Sequence, residues 1–185
     1  DAVRRSFDIA QEDPRTRARY DTAPLSSRDR FSPQWKNREH YADNSATLGK
    51  LLLLARRLCE RGAGFVTVTT SFVWDMHADG NNAPMTVGMD YVGRPFDHAV
   101  SAFIEDCEAR GLRDKILLVC CGEMGRTPRI NARGGRDHWG SLAPLMLYGG
   151  GLQMGQVIGQ SSRDGGEPAD SPVRIPDLMA TVMHT

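Results

Sequence analysis

The sequence predicts an α/β protein built around a mostly parallel sheet, and three observations carry that expectation. From residue 46 onward, helical stripes of apolar residues alternate with short apolar runs. Glycines stand just past the expected helix ends, at Gly62 and Gly111, where the chain leaves the last turn. Three polar clusters sit where apolar runs stop or start. They are Trp74-Asp75-Met76-His77, Gly122-Glu123-Met124-Gly125-Arg126-Thr127-Pro128 and Gly135-Arg136-Asp137-His138-Trp139. In open α/β sheets the ligand crevice lies outside the carboxyl ends of the strands, so these clusters are expected to form a site.

The elements follow in order. Residues 1–10 suit a short helix with Val3, Phe7 and Ala10 on one face. The first 45 residues hold nine Lys/Arg, eight Asp/Glu and three prolines among scattered apolar residues, so they offer little to build a core. Residues 15–44 therefore read as a long surface excursion, a functional lid or a segment awaiting partner structure. A helix is predicted over 47–61, because Leu48, Leu51, Leu52, Ala55, Leu58 and Cys59 recur at helical spacing. Residues 63–70, rich in β-branched and aromatic side chains, predict a strand, and 75–90 a loop. A second helix is expected from about 96 to 110, with Ala99, Val100, Phe103, Ile104 and Cys107 buried. Residues 115–121 form a nearly continuous apolar strand, as for a sheet covered on both faces. A Gly/Arg-rich loop over 122–141, a strand over 142–148, a short strand at 156–159 and a helix over 176–184 complete the chain. This order predicts that strands 63–70 and 115–121 are parallel neighbours joined by the intervening helix in a right-handed crossover.

Composition excludes several partners. Lys+Arg and Asp+Glu both number 23, so no global field draws nucleic acid or an anionic membrane. No run approaches the roughly 18 apolar residues of a membrane-spanning helix. The four cysteines lack a zinc-site pattern and read as buried free thiols. Cys120 and Cys121 are adjacent in an apolar strand and should face opposite sides of it.

The chemistry lies in the clusters. Asp75 and His77 are two apart, so on an extended segment both side chains face the same way. A carboxylate and an imidazole converging on one point suit Zn²⁺, Mn²⁺ or Fe²⁺ better than Ca²⁺, which prefers oxygen ligands. Glu123 leaves the end of another strand, and His138 lies in a glycine-flanked loop able to fold back over the sheet edge. Taken singly, each has a plainer reading: a turn and a surface histidine, a solvated loop acid, a core histidine under Trp139. Their placement together at strand boundaries favours a shared site. Arg126 and Arg136 add cationic forks suited to sulfate, phosphate or carboxylate, or to ion pairs with Asp137 or Glu123.

Six blocks in this order carry a family resemblance: residues 53–58, Trp74 to His77, 122–131, 134–139, 149–152 and 155–159. They resemble the C-terminal part of a large bacterial family catalogued as a domain of unknown function, often labelled sulfatase-like and grouped with the alkaline-phosphatase superfamily. The resemblance covers residues 1–10 and 46–185 and leaves a loop insertion at 22–46. Met76 stands where that family's motif has Thr. The resemblance implies an α/β/α sandwich around a mixed, mostly parallel sheet with a one- or two-metal site at one edge. It also implies a C-terminal portion of one domain, and a periplasmic or exported location. The metal ligands would fall on Asp75, His77, Glu123 and His138. Glu123 is followed by Met124, where the superfamily has an acid followed by His, which puts a second metal subsite in doubt. The superfamily's Ser, Thr or modified-Cys nucleophile lies near its N-terminal strand, upstream of these blocks. The expected activity is metal-dependent hydrolysis of sulfate or phosphate esters on a small molecule or glycan, with Arg126 and Arg136 neutralising the ester charge. The alternatives are a non-catalytic relative that binds an anionic glycan and a metal-dependent phosphosugar mutase.

Overall fold

The computed structural model describes residues 2–25, 31–70 and 74–185. Its scaffold is a pair of long helices, α3 (Arg38–Glu60) and α4 (Met85–Ala109), packed along their apolar faces. Leu48, Leu52 and Leu53 from α3 meet Ala99, Val100, Ala102, Phe103 and Cys107 from α4, with Leu112, Ile116 and Tyr148 closing the core. Before them come α1 (Ala2–Phe7), a 3-10 turn at Ile9–Gln11, α2 (Pro14–Arg19) and a second 3-10 turn at Ala23–Leu25.

Beyond the helices, the described residues form six short strands in three antiparallel pairs. β1 (Leu117–Cys121) pairs with β4 (Leu145–Gly149) in the register Leu117↔Gly149 to Cys121↔Leu145. β2 (Gly125–Arg126) pairs with β3 (His138–Trp139), and β5 (Gln160–Ser161) with β6 (Pro168–Asp170). α5 (Ile175–His184) ends the chain and buries none of its residues. No helix among the described residues is long and apolar enough to cross a membrane.

The protein is thus mixed α/β, but the expected parallel sheet is not formed among the described residues. Residues 65–70 belong to no strand, and Phe65 is 81% exposed. Their β-branched composition gives strand propensity, yet a strand exists only when a neighbour completes its ladder. Among the described residues, β1 finds its neighbour in the antiparallel β4 instead. Residues 156–159 likewise form no strand, and pairing begins at Gln160.

The helices start earlier than apolar spacing indicates. α3 begins at Arg38, and the stretch read as a surface excursion holds α2 and the buried Tyr20, Thr22, Phe31 and Tyr41. Polar bonds hold this region where apolar periodicity is silent: the Thr22 hydroxyl donates to the Ser45 carbonyl (2.6 Å) and accepts from the Gly49 amide (3.2 Å). α4 begins eleven residues before 96, and Pro95 lies inside it. A proline in a helix interior costs one backbone bond, and burial of Val92, Pro95, Ala99 and Val100 against α3 and its neighbours offsets that loss. In α1, Phe7 is exposed and Ser6 is buried, so Phe7 of the expected apolar face is not what docks it. Arg57 does so, donating to the carbonyls of Arg5 (2.8 Å) and Ser6 (3.1 Å) at the helix C-terminus.

Glu12 ties this N-terminal region to both long helices. It pairs with the fully buried Arg56 (2.6 Å), with Arg57 (2.8 Å) and with Arg110 (2.7 Å), while Arg56 also meets Glu60 and Asp106. The four cysteines are free, Cys120 packing on the core and Cys121 facing outward on β1, as adjacent strand residues must.

Candidate metal centre

The site begins with Met76. Its side chain is buried among Phe31, Tyr41, Ala83, Tyr91 and Val92, and Gly88 on α4 leaves the room it fills. With Met76 turned inward, Asp75 and His77 on either side of it point together away from that core. Met76 is thus the apolar anchor of this segment.

A second segment lies directly over this one. The Arg136 amide donates to the Met76 carbonyl (2.9 Å), and Gly135 approaches so closely that a Cβ would collide with the His77 carbonyl group. Asn131 organises the approach. Its side-chain amide donates to the His77 carbonyl (3.1 Å), and its side-chain oxygen accepts from the Arg133 and Gly135 amides (3.0 Å each). The Thr127 amide donates to the Asp137 carbonyl (2.9 Å) and the Thr127 hydroxyl accepts from the Asp137 amide (3.1 Å), which closes the loop's base. In the β2–β3 ribbon Arg126 stands opposite His138, and directly opposed residues share a face.

Three donor atoms converge as a result. His138 Nε2 lies 3.2 Å from Asp75 Oδ1 and 3.1 Å from His77 Nε2, and His77 Nε2 lies 3.6 Å from Asp75 Oδ1. Ligands about 2.0–2.1 Å from a tetrahedral zinc ion are separated from one another by about 3.3–3.4 Å. The three separations therefore match the edges of such a coordination shell. Two imidazole nitrogens and one carboxylate oxygen also fit Zn²⁺ or Mn²⁺ rather than Ca²⁺. The chemistry of the donor set fits a divalent ion.

Around the triad, Asp137 Oδ1 lies 3.3 Å from His77 Nδ1 and receives the Asn131 amide at 3.4 Å. A proton held on Nδ1 by that carboxylate leaves the Nε2 lone pair free for a metal. Arg126 Nη2 sits 2.5 Å from Asp75 Oδ1. Burial would raise the Asp75 pKa, but the hydrogen bond and charge of Arg126, then the His138 bond and the His77 charge, hold it below the usual carboxylate value.

The expected site residues divide. Asp75, His77 and His138 come together, all within 4.8 Å by their ligand atoms, and Arg126 joins them. Glu123 is exposed on the turn after β1 and lies outside that group. The Arg136 guanidinium is turned to the loop backbone, donating to the carbonyls of Thr127 (2.5 Å) and Pro128 (2.7 Å). Asp137 and Asn131 were not singled out as site residues in the sequence. Their position beside the histidine, in Asn131-Ala-Arg-Gly-Gly-Arg-Asp-His138, was the available signal.

Comparison with known proteins matches this α/β chain over residues 1–185 to the family described as "Protein of unknown function (DUF1501)". The chain belongs to that family. No curated protein and no solved structure matches it.

Proposed function

We propose that this chain carries the metal-binding part of a divalent-metal-dependent hydrolase of sulfate or phosphate esters, related to the sulfatase-like members of the alkaline-phosphatase superfamily. The observation that carries the reading is the convergence of Asp75 Oδ1, His77 Nε2 and His138 Nε2 at coordination-shell spacing.

When bound, a divalent ion supplies Lewis-acid polarisation of an ester oxygen and lowers the pKa of a coordinated hydroxyl or water. The chain's own groups prepare that place. Asp137 keeps a proton on His77 Nδ1, so that Nε2 presents a lone pair. His138 must carry its proton on Nδ1 rather than Nε2 to do the same. Asp75 stays ionised under the influence of Arg126 and brings negative charge to the cation. Met76 and Gly135 hold the two backbone segments in register. On this reading the nucleophile comes from outside these residues, as the resemblance implies.

A second reading, a binding module for anionic glycans, has an observation in its favour. The triad and its immediate partners include one described hydroxyl, that of Thr127, and it donates to the Arg129 carbonyl (2.9 Å). Calorimetric titration of Zn²⁺ and Mn²⁺ into wild type and His138→Ala tests the metal reading. Wild type should bind one ion and the variant should lose it; equal binding by both would remove the site.

A further inference from the structure

Arg126 and a metal ion would need the same atom. The guanidinium Nη2 already sits 2.5 Å from Asp75 Oδ1, the oxygen on which both imidazoles converge. A cation bonded to that oxygen at about 2.1 Å would lie within about 4.6 Å of Nη2. Two positive charges at that separation in a half-buried site repel, and each weakens the other's hold on the carboxylate. A second observation concerns the other end of the same fork. Arg126 Nη1 is buried and has no hydrogen-bond partner among the described residues, so the guanidinium satisfies Asp75 while leaving a desolvated donor unused. The pose suits a cation standing in for another cation, with a donor in reserve.

We propose that Arg126 is a built-in competitor for the divalent ion, and that a tetrahedral oxyanion relieves the competition. The proposal rests on the metal reading of the triad. With the ion absent, Arg126 neutralises Asp75 and braces it against His138. With the ion present, the guanidinium leaves Oδ1 and turns both Nη donors to an oxyanion held between itself and the metal. A planar fork matches two oxygens of a sulfate or phosphate group. Metal and oxyanion then bind cooperatively, and Arg126 is the group that couples them. No bond is made or broken; the coupling is an exchange of ion pairs.

The test is Zn²⁺ binding by the 185-residue protein, measured by calorimetry with and without saturating inorganic sulfate, against chloride at matched ionic strength. Sulfate should tighten Zn²⁺ binding to wild type about tenfold, within the 5- to 150-fold range of coupled sites. Arg126→Met should bind Zn²⁺ more tightly than wild type without sulfate and show no response to it. Arg126→Lys keeps the charge but lacks the fork, so its sulfate response should fall while its zinc affinity stays near wild type. That variant, with the wild-type response itself, decides the matter if the methionine variant fails to fold by circular dichroism. A wild-type affinity indifferent to sulfate overturns the proposal, as does an Arg126→Met protein that binds Zn²⁺ no better than wild type. Those results leave the metal reading standing provided His138→Ala abolishes binding. If no form binds Zn²⁺, both ideas fall together.

Discussion

Arg126 and His138 face each other across the β2–β3 ribbon, and both reach a single oxygen, Oδ1 of Asp75, at 2.5 and 3.2 Å. A two-residue ribbon thus delivers a permanent cation and an imidazole to a carboxylate more than fifty residues away in sequence. Direct opposition in an antiparallel pair fixes the first relation, and the Gly135–Arg136 contact with the Met76–His77 backbone fixes the second. The site's geometry is therefore a property of backbone contacts and should respond to changes in them.

The first prediction concerns Gly135. Its α-carbon packs on the His77 peptide, and any side chain there meets backbone rather than a movable side chain. Gly135→Ala should cost about 1–3 kcal/mol of stability, as overpacking does. It should also weaken Zn²⁺ binding by moving His138 away from His77. Chemical denaturation and calorimetry read the two effects; unchanged values of both would show the contact to be slack.

A second prediction separates geometry from resemblance. Glu123 lies exposed outside the donor group, whereas Asp137 holds His77 Nδ1. Asp137→Asn should weaken metal binding about 10- to 100-fold, the usual cost of losing a partner that orients a ligand. Glu123→Gln should leave affinity unchanged. The reverse pattern in a calorimetric titration would place the metal at Glu123.

Much of this was legible in the sequence, and the failures have physical reasons. The 3.6-residue spacing predicts a helix over 47–61, the part of α3 in which Leu48, Leu52, Leu53 and Ala55 are buried. The first turns of α3 bury Tyr41, Asn44 and Ser45, a set without a stripe. The helix expected from about 96 runs back through Pro95 to Met85, carried by tertiary packing that apolar spacing does not show. Residues 63–70 have strand composition and no ladder, since propensity cannot supply a neighbour. Asp75, His77 and His138 could be named from flanking glycines and apolar runs. Which oxygen they share, and that Asp137 and Asn131 support them, depends on a backbone crossing that spacing does not encode.

The third prediction is a pH dependence. Burial would raise the Glu12 pKa, but hydrogen bonds from Arg56 and Arg57 and the charges of Arg56 and Arg110 pull it from 4.5 to about 2. A carboxyl with a depressed folded-state pKa contributes stability above its unfolded value, and that contribution fades as pH falls through the folded one. Unfolding midpoints should therefore drop between about pH 4.5 and 2. Glu12→Gln should flatten that drop and destabilise the protein at neutral pH by less than the about 3–5 kcal/mol of a fully broken buried pair, because Arg56 loses one carboxylate but keeps Glu60 and Asp106. A variant with the wild-type slope would assign the acid sensitivity to other carboxylates.

The last prediction concerns turnover. Covalent ester hydrolysis needs a hydroxyl or thiol activated beside the metal. Thr127, the hydroxyl nearest in the loop network, is held by the Asp137 amide and the Arg129 carbonyl. Ser71, the hydroxyl that precedes the Trp74-Asp75-Met76-His77 cluster, lies outside the described residues. The sequence around it holds no strand-to-helix elbow that would present a nucleophile. The 185-residue chain supplied with Zn²⁺ or Mn²⁺ should therefore bind the ion and turn over neither an aryl sulfate nor an aryl phosphate. Metal-dependent release of the phenol, abolished by His77→Ala, would mean that a nucleophile resides within these residues. Ser71→Ala would then be the first variant to make.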